Sequence, residues 1–171
     1  ADVWGVSATA TWTGERLGVK SYSAYRQSDV NQMIDADATD LFIFDIGFRE
    51  DSRSLTQELQ LFNANPDRLK WIAGLFYLNE DGVGGIDILF QDPQITIPES
   101  NVTNAYAVFG QGTFSVTDRL RATAGVRYSY EKKKYNFSTA VNGTEVDSGS
   151  PTADFNAWTP RFALDYDITD S

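Results

Sequence analysis

The sequence contains neither cysteine nor histidine, so several kinds of chemistry are excluded at once. Without thiols there is no disulfide framework and no cysteine nucleophile, and zinc sites of the usual Cys/His type cannot form. Histidine general bases are absent as well. The longest unbroken apolar stretch, residues 71–78, is only eight residues long, which is too short for a membrane-spanning helix. A helical membrane protein and much of ordinary enzymology are thereby excluded.

Positive charge is also scarce. The 171 residues carry 24 Asp and Glu against 14 Lys and Arg, a formal net charge of −10. The one basic cluster is Lys132-Lys133-Lys134, and phosphate contacts need many more clustered cations, so no nucleic-acid partner is expected. At 42% hydrophobic residues the chain is too apolar to be a disordered acidic segment, and its length suits one domain.

What is present favours β-strands. Aromatic residues make up 13% of the chain, and there is a single methionine. Alternation of apolar and polar residues is complete over residues 120–131, where the even positions from Leu120 to Tyr130 are apolar and the odd positions are mostly polar. Twelve extended residues span about 40 Å, whereas strands of soluble proteins usually have about 5–6 residues.

The same alternation recurs along the chain and predicts an all-β fold, an antiparallel up-and-down meander of about seven long strands. Short polar turns separate strands at 13–15, 64–68 and 117–119. Long segments at 28–52, 81–102 and 132–154 alternate with them. In a meander this order places every short turn at one rim and every long loop at the other, which is the pattern of an outer-membrane β-barrel.

The acidity is concentrated in two of these long segments. Residues 28–52 hold seven carboxylates and Arg49, a net charge of −6, and residues 80–102 hold five carboxylates and no base. The strand scaffold is therefore close to neutral. The aspartates at 29, 35, 37 and 40 lack the spacing of a calcium loop, so we expect a solvated acidic loop. No metal site, cofactor site or catalytic residue is predicted.

Three strings of residues resemble one family of proteins. They are SLTQELQLFNANPDRLKWIAGLFYLNED, NAYAVFGQGTFSVTDRLRATAGVRYSYEKKKYNF and WTPRFALDYDITDS. In this order and spacing they resemble the barrel of TonB-dependent outer-membrane receptors over at least residues 53–171. The resemblance implies part of a transmembrane β-barrel of about 22 strands in the bacterial outer membrane. It also implies active uptake, without enzymatic activity, of a scarce large ligand such as a ferric siderophore.

The partners implied by the resemblance are the outer-membrane lipid, the receptor's own plug domain and remaining barrel strands, the TonB complex acting through the N-terminal region, and the nutrient ligand. The sequence shows no signal peptide, plug or terminal aromatic strand, so we expect residues 1–171 to be a partial barrel domain. Two alternatives stay open. One is a small self-contained outer-membrane barrel of structural or adhesive role, and the other is a secreted all-β carbohydrate-binding module.

Within such a barrel the alternation singles out candidate functional residues. Arg121, Arg127 and Glu131 share the face expected to line the lumen, as do Arg161 and Asp165 on another strand. They form either an ion-paired wall that supports the plug or a path for anionic iron chelates. Candidate interfacial aromatics are Trp4, Trp12, Trp71, Tyr128 and Phe155. Lys132-Lys133-Lys134 either contacts lipopolysaccharide phosphates or stays solvated.

Overall fold

The computed structural model describes residues 1–36, 43–90 and 92–168, and all of its regular structure is β. Its strands are β1 (Asp2–Thr13), β2 (Leu17–Asp35), β3 (Phe44–Asn63), β4 (Leu69–Phe90), β5 (Gln94–Ser115), β6 (Leu120–Val141), β7 (Thr144–Gly149) and β8 (Thr152–Tyr166). In this part of the chain no helix has the length and apolar character needed to cross a membrane.

The strands form one antiparallel sheet in chain order, which confirms the predicted meander. The one departure is at the last edge, where β7 pairs with the end of β6 and β8 pairs with its beginning. The Tyr135 N–H donates to the Pro151 carbonyl at 3.0 Å between them. β7 and β8 thus cover one side of β6 as a single strand broken at residues 150–151, and eight strands replace the expected seven. Within the described residues β1 contacts only β2 and β8 only β6, so both edges of the sheet are open.

The predicted long loops are mostly strand, which corrects the sequence analysis. β2 to β6 run for 19 to 22 residues, so they extend far into the segments 28–52, 81–102 and 132–154. Only residues 36–43, 91–93 and 142–143 remain between the strands at this end, and Asp37 and Asp40 lie outside the described residues. The acidic segments therefore belong to an extended sheet.

The short connections at the opposite end match the predicted turns. Thr117 Oγ1 accepts hydrogen bonds from the backbone N–H groups of Arg119 and Leu120 at 3.2 and 3.0 Å, and the Val116 N–H donates to the Leu120 carbonyl at 2.8 Å. Hydroxyl-to-backbone bonds of this kind stabilise tight turns. The polar sequence Thr169-Asp170-Ser171 also favours a turn after the last strand, but these residues lie outside the described part of the chain. We call the end with residues 14–16, 64–68 and 116–119 the turn end, and the other the tip end.

The register divides the side chains between two faces. All four tryptophans lie on one of them, which we call the tryptophan face, and the other is the reverse face. The sheet is a single layer, and its few buried side chains, Thr103, Ala107 and Thr123, lie on the reverse face. On the tryptophan face Phe162 is 80% exposed and Leu164 76% exposed. An apolar face of this size needs an apolar medium or partner to cover it.

Candidate functional site

Three aromatic contacts cross the middle of the tryptophan face. Ring centroids are 5.4 Å apart for Trp4 and Tyr25, 5.1 Å for Tyr77 and Tyr106, and 4.8 Å for Tyr128 and Trp158. Tyr77 with Tyr106 and Tyr128 with Trp158 are direct cross-strand partners, and Tyr130 faces Tyr106 in the same row. We call this set the aromatic row. Its members come from β1, β2, β4, β5, β6 and β8, so it crosses nearly the whole sheet.

A second set of large side chains marks the turn end of the same face. Trp12 lies in β1, Trp71 in β4 and Tyr166 in β8. The residues between the two sets are mostly apolar or small, and they include Leu59, Leu75, Val108, Ala122, Ala124, Val126, Phe162 and Leu164. We call this region, from the aromatic row to the second set, the apolar band. In both β1 and β8 the apolar band spans about nine residues, as is typical of a transmembrane β-strand.

The register shows that the strands are tilted relative to this band. The row of partners through Trp4 reaches β8 at Thr152, but the aromatic row meets β8 six residues later, at Trp158. The row of cross-strand partners through Trp12 reaches β8 at Pro160. The turn-end edge of the apolar band meets β8 six residues later, at Tyr166. Six residues of about 3.3 Å over six strand spacings of about 4.8 Å correspond to a tilt of about 35°, which falls within the range of β-barrels.

The structure places four of the five predicted interfacial aromatics on the tryptophan face. Trp4 and Tyr128 belong to the aromatic row, while Trp12 and Trp71 lie at the turn end of the band. Phe155 pairs with Glu131, so it lies on the reverse face instead. Tyr25, Tyr77, Tyr106 and Trp158 complete the aromatic row and were not singled out from the sequence, because their alignment depends on the register between strands.

On the reverse face Arg121 makes a bidentate ion pair. Its two terminal nitrogens donate to the Asp167 carboxylate at 2.7 and 2.8 Å. Asp165 is the cross-strand partner of Arg121 in the register, but the carboxylate that binds the guanidinium is that of Asp167, just past the end of β8. The hydrogen bonds from Arg121 hold the pKa of the Asp167 carboxyl below its ordinary value of 3.8. This pair joins β6 to the chain beyond β8 at the turn end.

Arg127 is held by aromatic rings rather than by a carboxylate. Its guanidinium lies 5.3 Å from the Phe76 ring centroid and 5.9 Å from that of Phe109, and its Nε donates to Ser129 Oγ at 3.0 Å. The Phe109 ring lies over Gly74, where a Cβ would come within 2.4 Å of the ring. Glycine at this position therefore makes room for the ring that supports the arginine.

A groove of about 380 Å³ on the same face brings Arg127 and Arg161 together. Glu58, Gln60, Phe109 and Gln111 contribute to its lining. The Gln60 amide donates to Glu58, and Glu131 pairs with Lys133 at 3.0 Å. Among the described residues, no carboxylate lies within ion-pairing distance of either Arg127 or Arg161. Of the five predicted reverse-face residues, the structure thus brings Arg127 and Arg161 into one groove and leaves Arg121, Glu131 and Asp165 outside it.

Beyond the aromatic row the polarity of the two faces is exchanged, although the register stays unbroken from β2 to β5. On the reverse face, one row of direct partners crosses five strands as Ile34, Ile46, Ile88, Ile95 and Val141. Phe44 stacks on Phe90 beside this row at 5.3 Å, and Phe48, Ile86 and Ile97 follow on its other side. We call this set the apolar row. Ile34 and Phe48 are 40% and 38% exposed, so the apolar row presents an open surface.

The tryptophan face of the same region is mostly polar. Arg49 pairs with Asp87 at 2.8 Å, and Arg53 lies 3.6 Å from Asp51. On the reverse face the apolar row is followed by Tyr135, whose hydroxyl donates to Glu99 and whose ring stacks on Phe137. The hydrogen bond to Glu99 raises the pKa of Tyr135 above its ordinary value. The tip end therefore combines an apolar reverse face with carboxylates beside it.

Comparison with known proteins identifies the family. The family described as TonB dependent receptor-like, beta-barrel matches residues 1–171. The chain belongs to this family. The barrels of TonB-dependent receptors lie in the bacterial outer membrane and serve transport. A search of curated proteins finds no match.

Two solved structures share the fold. The ferric yersiniabactin uptake receptor FyuA from Yersinia pestis matches with a TM-score of 0.85 and 15% identity, covering 98% of this chain and 26% of that chain. The copper transporter OprC matches with a TM-score of 0.67 and 16% identity, covering 99% of this chain and 29% of that chain. At these identities the two structures show the fold, and this chain spans less than a third of each of them.

Proposed function

We propose that this chain forms part of the wall of an outer-membrane receptor that takes up a scarce large ligand, such as a ferric siderophore, with energy delivered through TonB. The match of the family to the whole chain is the observation that carries the proposal. One structural neighbour is named as a ferric yersiniabactin uptake receptor and the other as a copper transporter, which favours a metal-bearing ligand.

In this proposal the apolar band lies in the bilayer and the reverse face lines the lumen. Eight residue steps at a tilt of about 35° rise about 22 Å, close to the apolar belt of about 25 Å in outer-membrane barrels. The turn end then lies on the periplasmic side and the tip end outside the cell, because barrels of this kind have short periplasmic turns. The aromatic row lies at the outer interface of the bilayer, and Trp12 and Trp71 lie at the inner one.

The two reverse-face regions have different roles in this proposal. The groove with Arg127 and Arg161 faces the lumen, where the plug domain supplies carboxylate partners to two guanidinium groups that form no ion pair within the described wall. The apolar row faces the space above the plug, where it contacts the apolar surface of an incoming ligand. The acidic charge around it disfavours a strongly anionic ligand.

The test is uptake by the intact receptor in its own cell. Deletion of the gene is expected to abolish accumulation of a radiolabelled ferric siderophore under iron limitation, and loss of TonB is expected to do the same with the receptor still present. Restoration by the full-length gene is the control. Parallel assays with copper and with free iron distinguish a chelate receptor from a receptor for the bare metal. Accumulation that persists in both deletion strains contradicts the proposal.

A further inference from the structure

The lysines of the basic cluster do not share one face. β6 leaves the aromatic row at Tyr130, and alternation then places Lys132 and Lys134 on the tryptophan face. Lys133 lies between them on the reverse face, where it pairs with Glu131 at 3.0 Å. Two of the three ammonium groups are thus presented together on the face that carries the apolar band.

The tilt gives their level relative to the aromatic row. A strand tilted by about 35° rises about 2.7 Å per residue along the barrel axis, so Lys132 lies about 5 Å and Lys134 about 11 Å beyond Tyr130. The polar headgroup layer occupies roughly 5 to 8 Å on each side of the hydrocarbon core. With their flexible stems, both lysines reach this layer from the outer surface of the barrel.

Among the described residues neither ammonium group is ion-paired, and the one carboxylate opposite them in the register is that of Asp154. In the part of the chain that the structure describes, no carboxylate lies within ion-pairing distance of Lys132 or Lys134. Across the strands Lys132 faces Asn104 and Asp154, and the Asp154 carboxylate accepts a hydrogen bond from the Tyr130 hydroxyl at 2.9 Å. The partners of Lys134 are uncharged. By contrast, both arginines on this face of β3 have an aspartate partner.

We propose that Lys132 and Lys134 bind the phosphate groups of lipid headgroups in the outer leaflet and so fix the receptor's depth and its lipid contacts on this side of the barrel. The inference rests on the membrane placement given under the proposed function, and it adds an anionic lipid as a partner. Lys133 has no part in it, since its ammonium is on the lumen side and already paired. Attraction of this kind is electrostatic and weakens as salt is raised.

The experiment compares the intact full-length receptor with two variants, Lys132→Gln/Lys134→Gln and Lys133→Gln, in nanodiscs of zwitterionic lipid. Binding of lipid A that carries both phosphates is measured by native mass spectrometry and by titration, with dephosphorylated lipid A as the matched ligand. We expect the double variant to bind about 25-fold more weakly, since each lysine at an anionic surface contributes about fivefold. Lys133→Gln is expected to bind like the parent protein.

Three outcomes overturn the proposal. They are equal binding of the phosphorylated and dephosphorylated lipids, an equal loss in Lys133→Gln, and competition by millimolar inorganic phosphate as strong as by the lipid, which indicates a site for soluble anions. The thermal unfolding of each variant in detergent is measured as a control for folding. Because the binding measurement requires no transport, its result is independent of the result of the uptake test.

Discussion

The half of the sheet next to the turns and the half next to the tips are built from the same strands, but their faces have opposite polarity. In the turn half the tryptophan face is apolar and the reverse face carries Arg121 and Arg127. In the tip half the tryptophan face carries paired charges such as Arg49 and Asp87, and the reverse face carries the apolar row. Because the backbone register continues without a shift from β2 to β5, the exchange is made by the side chains alone.

The alternation of apolar and polar residues along a strand depends on the medium on each side of the sheet, and the two halves have different media. In the proposed placement the turn half has lipid outside and a wet lumen inside, while the tip half has water outside and a ligand space inside. The aromatic row marks the level at which the outer medium changes from lipid to water.

The largest effect is expected from a charge placed on the same face in each half of the sheet. Leu75→Arg inserts a cation into the apolar band, where Leu75 is 58% exposed, and should destabilise the full-length receptor by about 2–4 kcal/mol. Ser100→Arg, on the same face of the tip half, should cost no more than about 1 kcal/mol. Chemical unfolding of both variants in lipid vesicles measures the difference. Equal costs would show that the two halves have the same surroundings.

A second substitution tests the reverse face of the tip half. Ile88→Asn removes an apolar side chain from the centre of the apolar row, and we expect about a tenfold loss of affinity for the ferric siderophore that the uptake assay identifies, because burying an isoleucine contributes about 1.5–3 kcal/mol. Thr96→Asn, on the tryptophan face of the neighbouring strand, is the control. Ligand binding to whole cells is the measurement. An equal loss of affinity in both variants would show that the apolar row is not part of the ligand site.

The next prediction concerns the turn half and the ring contacts of Arg127. Arg127→Ala should lower the free energy of unfolding, and its coupling with Phe109→Leu in a double-mutant cycle should be about 0.5–1 kcal/mol, as expected for a partly exposed cation and ring. Arg127→Lys keeps the charge and loses the planar group, so it should recover only part of the coupling. Additive single effects would mean that the ring and the guanidinium do not support each other.

The sequence predicted the turn half well and the tip half poorly, for a physical reason. Residues 120–131 alternate fully, as expected of a strand that, in the proposed placement, has lipid on one face and a wet lumen on the other. In the tip half the strands carry Asp29, Asp45 and Asp87 on the face that the proposed placement exposes to water, and such acidic residues are typical of loops as well as of exposed strand faces. The hairpin signal Asn142-Gly143 was present, and both residues have positive φ in the structure, 50° and 77°.

The candidate site was predictable where it depends on one strand and unpredictable where it depends on several. Counting along a single strand is enough to place Phe155 and Trp158, three residues apart in β8, on opposite faces, so the grouping of Phe155 with the tryptophans is not supported. The groove that joins Arg127 to Glu58 crosses β3 to β6, and the preference of Arg121 for Asp167 over Asp165 depends on the path of the chain after β8. These contacts are set by the register between strands and by side-chain reach.

The smallest expected effect concerns the ion pair at the turn end. Because Arg121 lowers the pKa of Asp167 in the folded state, the pair stabilises the fold above the ordinary pKa of 3.8, and this contribution is lost as the pH falls through the lowered value. Asp167→Asn should therefore lower the unfolding temperature slightly at pH 7, and the difference from the parent protein should shrink as the pH falls below the ordinary pKa of 3.8 and through the lowered one. Asp165→Asn is the matched control, since Asp165 faces the same arginine without binding it in the bidentate manner. A difference between Asp167→Asn and the parent that persists unchanged in acid would mean that Asp167 acts through packing at the end of β8 rather than through its charge.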